Sequence, residues 1–89
     1  MMLIEKKLVI NNEQGLHARP AALFVQIANK YESDVTVKKG RQEVNGKSIM
    51  GLMTLAAEKG SLIRLKINGP DAKEALQELE RIISGEALG

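Results

Sequence analysis

The run Gly15-Leu16-His17-Ala18-Arg19-Pro20-Ala21 places the only histidine of the sequence two residues from an arginine, where the residue pattern turns helical. A histidine there is the N-cap of a helix whose first amides lack carbonyl partners, and the aligned peptide dipoles leave about half a positive charge at that end. Such an end binds anions. With an imidazole nitrogen of His17 as nucleophile, the backbone of Ala18 and Arg19 and the Arg19 guanidinium could accept and hold a phosphoryl group. A single histidine beside a glycine turn is more often a solvated loop residue, and residue types alone leave both readings open. A second segment, Lys47-Ser48-Ile49-Met50-Gly51-Leu52-Met53, sets a serine before a short apolar helix. Ser48 reads as its N-cap.

The elements that must position these residues follow from hydrophobic period. Leu3 to Ile10 reads as a strand ending in the turn-prone Asn11-Asn12-Glu13-Gln14-Gly15. From Ala18 the period becomes helical, with Ala21, Phe24 and Ala28 on one face, Leu23 and Ile27 one step round, and Pro20 in the first turn. Asp34 to Lys39 alternates, Lys39-Gly40-Arg41 turns into a strand ending at Val44, and Asn45-Gly46 turns again toward Ser48. The helix after Ser48 is expected to run to about Ala57 and to be stopped by Lys59-Gly60. Ser61 to Ile67 is the clearest strand, with Ile63, Leu65 and Ile67 opposite Arg64 and Lys66. Gly69-Pro70-Asp71 opens the last helix, with Pro70 expected at its first position, a stripe of Ala72, Ala75, Leu76, Leu79, Ile82 and Ile83, and Gly85 as the stop. The order β-α-β-β-α-β-α implies an α+β fold, an open-faced β-sandwich in which helices cover one face of the sheet.

In the short helix Leu52, Leu55 and Ala56 suffice to face the sheet, at i, i+3, i+4 spacing. Ile49, Met50 and Met53 point elsewhere. For Ile49 core packing and surface exposure stay open. Met50 and Met53 suit an adaptable partner-binding patch.

On these two motifs, and on the element order, the chain resembles HPr, the histidine-containing phosphocarrier of the bacterial phosphoenolpyruvate-dependent sugar phosphotransferase system. The resemblance spans roughly residues 4–85. It implies a four-stranded antiparallel sheet in the order 1-4-2-3 with three helices on one face. It also implies that His17 becomes a phosphohistidine on Nδ1, taking the group from phospho-enzyme I and passing it to enzyme IIA components, with Arg19 as the phosphate-supporting arginine. In relatives with this second motif the serine matching Ser48 is phosphorylated by HPr kinase/phosphorylase with ATP, as a regulatory mark. The helix carrying Ile49, Met50 and Met53 then docks partners together with the histidine-bearing helix. Enteric relatives ring the histidine with lysines. Here the corresponding positions, expected to be exposed, include Ala22, Gln26, Asn29 and Gly51, so apolar contact should carry more of the docking affinity. The resemblance leaves open a carrier of the nitrogen-related regulatory branch. A purely regulatory homologue is disfavoured by retention of His17.

Composition narrows the remaining classes. The chain has 89 residues, enough for one domain over 1–89 and one two-layer core. No cysteine is present, which excludes disulfides and thiol catalysis, and one histidine without cysteine does not build a zinc site. A net charge of +2 and an aromatic fraction of 2% point away from nucleic acid. No run reaches the ~18 apolar residues that span a bilayer, and residues 1–7 lack signal-peptide order, so a cytoplasmic protein without membrane insertion is expected. Neither metal nor cofactor is implied. The expected molecule is a monomeric, stoichiometric relay and not a free-standing enzyme.

Overall fold

Alternating strands and amphipathic helices can bury their apolar sides only against one another, and this chain does so in two layers. The structure, a computed structural model, describes residues 2–86. Its elements are β1 (Met2–Val9), α1 (Ala18–Ala28), β2 (Asp34–Lys39), β3 (Gln42–Asn45), α2 (Ile49–Leu55), β4 (Leu62–Gly69) and α3 (Ala72–Ser84). Residue 1 and residues 87–89, the ends of the expected domain, lie outside the described residues.

The strands form one antiparallel sheet in the order β1-β4-β2-β3, as the resemblance implies. β4 sits centrally, paired to β1 from Met2↔Gly69 to Val9↔Leu62 and to β2 from Asp34↔Asn68 to Lys38↔Arg64. Its Ile63, Leu65 and Ile67 are buried beneath the helices with Val35 and Val37 of β2. Phe24 of α1, Leu52 and Leu55 of α2, and Leu79, Ile82 and Ile83 of α3 close the core from above. Fully burying each such side chain contributes roughly 1.5–3 kcal/mol against the chain's conformational entropy.

Several boundaries depart from the sequence expectation. Pro70 is not the first residue of α3. β4 continues through Gly69, whose partner is Met2, so the helix starts only at Ala72 with Asp71 as N-cap. The Asp71 side chain does not cap its own helix; it accepts the Ser33 amide at 3.0 Å, the Ser33 hydroxyl at 2.5 Å and the Glu32 amide at 2.9 Å. The Ser33 hydroxyl first, then the Glu32 amide, hold its carboxyl below the usual carboxylate range. α2 ends at Leu55, because Ala56 turns left-handed at φ 52°. That turn exposes Ala56 and sends Ala57 into the core in its place. Lys39 Nζ and Gln42 Nε2 donate to the Ala56 and Thr54 carbonyls and satisfy the C-terminal end of α2.

Candidate functional site

The His17 segment is held by backbone contacts from both sides. The Leu16 amide donates to the Ala57 carbonyl at 2.8 Å, fixing the loop to the chain leaving α2. On the other side the Asn11 amide donates to the Ile83 carbonyl at 2.9 Å, and buried Asn12 donates its side-chain amide to the Ile82 carbonyl at 3.1 Å. The loop is therefore anchored to the ends of two helices before it reaches His17.

His17 is the N-cap of α1, with extended backbone at φ −119° and ψ 159° and no side-chain capping bond. Its imidazole is half-buried and thus open to an incoming group. Ala18 then adopts φ 43°, a left-handed conformation that holds roughly 1–2 kcal/mol of strain in a residue with a β-carbon. The first hydrogen bond of the helix, from the Ala21 amide to the His17 carbonyl, is long at 3.5 Å. The amides of Ala18 and Arg19 precede it and have no carbonyl partner within the helix. Pro20 has no amide to leave unpaired, and its ring is buried. The Arg19 side chain is exposed and joins no ion pair among the described residues. No acidic residue occupies the first turn, so the positive end of the helix is uncompensated. His17, Ala18 and Arg19 are thus brought together as the sequence suggests, in an open, cationic helix start.

Ser48 caps α2: its Oγ accepts the Gly51 amide at 3.1 Å, and its carbonyl accepts the Leu52 amide at 3.0 Å. Beyond the cap, Ile49, Met50 and Met53 are 40%, 73% and 46% exposed, which settles Ile49 on the surface with the two methionines. Two of the positions expected to be exposed are not. Ala22 is half-buried, and a β-carbon on half-buried Gly51 would stand 3.3 Å from the Val44 β-carbon, so α2 packs on β3 there. α1 and α2 pack against one another, so the His17 and Ser48 helices are neighbours.

Sequence reasoning missed two supports of this arrangement. Lys47 Nζ donates to the Tyr31 carbonyl at 2.8 Å and ties the Ser48 turn to the chain leaving α1. Tyr31 in turn donates its hydroxyl to Glu78 of α3, which also pairs with Lys30 at 3.0 Å. The bond to Glu78 first, and burial second, push the Tyr31 phenol up to about 12, while that same bond and Lys30 lower the Glu78 carboxyl. No local signal marks Lys47 or Tyr31 for this, because their partners lie far along the chain. Among the described residues no cluster of three or more acidic or histidine side chains could hold a metal ion, and no helix is long and apolar enough to cross a membrane.

Architecture and site together define an open-faced α+β sandwich that holds its one histidine at an unpaired helix start. The chain belongs to the HPr family: the family model for the PTS HPr component phosphorylation site matches residues 4–85. It is 46% identical over 83 residues to phosphocarrier protein HPr of Neisseria meningitidis, covering 93% of each chain. To HPr-like protein Crh of Bacillus subtilis it is 45% identical over 84 residues, covering 94% of this chain and 99% of that one. Among solved structures, HPr of Bacillus anthracis superposes with a TM-score of 0.87 at 45% identity, over 90% of this chain and 95% of that one. The Crh structure from Bacillus subtilis, a dimer with a swapping domain, superposes at 0.75 and 46% identity, over 93% and 95% of the two chains.

Proposed function

We propose that the chain is a phosphocarrier of the sugar phosphotransferase system. His17 takes a phosphoryl group on Nδ1 as the group's bond to enzyme I breaks, and the phosphorus–nitrogen bond so formed breaks in turn when enzyme IIA components accept the group for sugar uptake. The observation that carries this reading is His17 at a helix start whose first amides, those of Ala18 and Arg19, have no carbonyl partner within the helix, followed two residues on by exposed Arg19, which joins no ion pair among the described residues. Amides and guanidinium can supply donors to the three phosphoryl oxygens. Ala18 and Arg19 are exposed, which suits a relay whose partner completes the site. Exposed Ile49, Met50 and Met53 give enzyme I, enzyme IIA and HPr kinase/phosphorylase an apolar docking patch, and phosphorylation of Ser48 regulates docking there. The carrier works as a cytoplasmic monomer.

The test is incubation with enzyme I and labelled phosphoenolpyruvate, comparing wild type with His17→Ala. Wild type should take up an acid-labile, base-stable label, as phosphohistidine does, and His17→Ala should take up none while melting as wild type does. Labelling of the variant would overturn the assignment. A second reading is a regulator that docks without transfer. It is favoured by the similarity to Crh, 45% identity against 46% for HPr. In that case enzyme I leaves wild type unlabelled while HPr kinase/phosphorylase and ATP still label Ser48. Comparing enzyme I of the sugar and nitrogen-related branches as donors separates those two roles.

A further inference from the structure

The face of the sheet turned away from the helices carries a second cationic group that phosphoryl transfer does not use. Alternation puts Lys7 of β1, Arg64 of β4 and Lys38 of β2 on this face, and the register aligns them directly, Lys7↔Arg64 and Lys38↔Arg64. Adjacent strands lie about 4.8 Å apart, so the three side chains leave the sheet within about 10 Å of one another. Lys66 stands two residues along β4 on the same face. Like charges directly opposite one another destabilise a sheet. Among the described residues none of these four cations enters an ion pair, although Lys6, Lys30 and Lys59 all do. The face also carries Asp34, Glu5 and Glu43, yet within this row no carboxylate separates the three cations, an arrangement that costs stability and that a bound anion would relieve.

We propose that the Lys7–Arg64–Lys38 row is a binding site for a small molecule bearing two or more adjacent phosphate groups. The row borders a shallow depression lined by Lys7, Lys38, Arg64, Gly40 and Leu62. Arg64 is central, and its planar fork grips one phosphate through two parallel bonds while the lysines on either side take the next. Lys66 reaches the same ligand diagonally. Glu43 closes the β3 end of the row, opposite Lys38, and Glu5 stands opposite Lys66 in the adjoining row. These carboxylates disfavour a long polyanion laid across the strands, so a compact ligand fits the three cations better than a nucleic acid. Its recognition rests on phosphates, because Phe24 is buried and Tyr31 is held by Glu78, leaving no ring on this face to stack on a base. Exposed Leu62 and Val9, opposite one another in the next row, offer an apolar border to the ligand's organic part.

Titration with inorganic tripolyphosphate at constant ionic strength tests this, followed by calorimetry and by amide chemical shifts. Saturable one-to-one binding is expected, with the largest shifts on β1, β4 and β2. Arg64→Gln and Lys7→Gln should each weaken it roughly 5–20-fold, as loss of one hydrogen bond to a charged group does at a partly solvated site. Lys73→Gln, which removes one exposed charge from α3, should leave it unchanged. Without ligand, Arg64→Gln should melt at or above wild type because repulsion is relieved. A response that rises without saturation overturns the proposal, as does equal weakening by Lys73→Gln. Shifts confined to Leu16–Arg19 would assign the anion to the histidine helix and also overturn it. His17→Ala should retain full binding, so this site and the phosphocarrier reading fail independently.

Discussion

Gly15 passes so close to Ala57 that a β-carbon on it would fall 2.5 Å from the Ala57 carbonyl oxygen, the same atom that accepts the Leu16 amide. Its backbone is also left-handed, at φ 65°. The position therefore excludes a side chain twice, by space and by conformation. Gly15→Ala should destabilise the protein by roughly 2–3 kcal/mol, from the left-handed penalty plus the displaced contact. It should also slow phosphate acceptance, because the loop that loses its hold on Ala57 is the one presenting His17. Urea unfolding together with labelling by enzyme I measures both. A variant as stable as wild type would show that the loop can move aside freely.

The approach of Gly15 to Ala57 could not be read from the sequence, and the reason is general. Periodicity reports which way a side chain faces, so the buried sides of α1, β4 and α3 were legible. It says nothing about which distant backbone a loop will meet. Strand order came from the family resemblance, since alternation in β4 is equally compatible with other neighbours. Pro70 and Asp71 carry the usual marks of a helix start, yet Asp71 is diverted to Ser33 and Glu32, and pairing with Met2 extends β4 to Gly69. Ala56 was misplaced into the core for a similar reason: only the left-handed turn after Leu55 decides that Ala57 enters instead. At the candidate site, residue types and spacing single out His17, Arg19 and Ser48 as candidates. The strained Ala18 and the Lys47–Tyr31 bond needed coordinates.

Arg19 should show a graded defect. Its guanidinium joins no ion pair among the described residues and can share three phosphoryl oxygens with the amides of Ala18 and Arg19, which the substitution leaves in place. Arg19→Ala should slow transfer in both directions by roughly 10–1,000-fold, on the order of 1.4–4 kcal/mol, as for loss of one oxyanion donor. Stability should change little at this exposed position. Rapid-quench rates with phospho-enzyme I decide the matter, and a rate within twofold of wild type would place Arg19 outside the chemistry.

The Tyr31–Glu78 bond makes stability depend on alkaline pH in a predictable sense. Tyr31 is the only tyrosine and tryptophan is absent, so phenolate absorbance reports this one group. Its pKa is raised from 10.0 to about 12 in the folded chain, chiefly by the hydrogen bond to Glu78. A group raised on folding contributes its full stability below its unfolded value and loses it as pH climbs through the folded value. The loss is therefore expected between pH 10 and about 12. Glu78 and Asp71 are lowered on folding, so their contributions hold above the ordinary carboxylate range and fade as acid protonates the folded groups. Glu78→Gln should bring the phenolate midpoint back toward 10.0 and flatten the alkaline limb of stability. A wild-type midpoint already near 10.0 would show that the bond does not hold in solution.

Ser48 sits where one added charge should act in opposite directions on fold and docking. Its Oγ caps α2 through the Gly51 amide, and an aspartate at an N-cap supplies an oxygen to the same donor. Ser48→Asp should therefore melt at or slightly above wild type. Ser48→Ala, which leaves that amide unpaired, should lose about 1 kcal/mol, or about 4–8 °C in a chain this small. The same negative charge lies beside exposed Ile49, Met50 and Met53, where a docked partner would strip away its water. Burying an unpaired charge at an interface costs several kcal/mol unless a cation meets it. Ser48→Asp should thus lower the rate at which enzyme I phosphorylates His17. The drop should be smaller than for phosphoserine, which carries about −1.5 to −2 charges at pH 7. Ser48→Ala, with no charge, should be phosphorylated at close to the wild-type rate wherever it is folded. If both variants slow equally, loss of the cap explains the effect and repulsion does not. If Ser48→Asp matches wild type at sub-saturating concentration, the charge meets a cation on enzyme I and docking tolerates it.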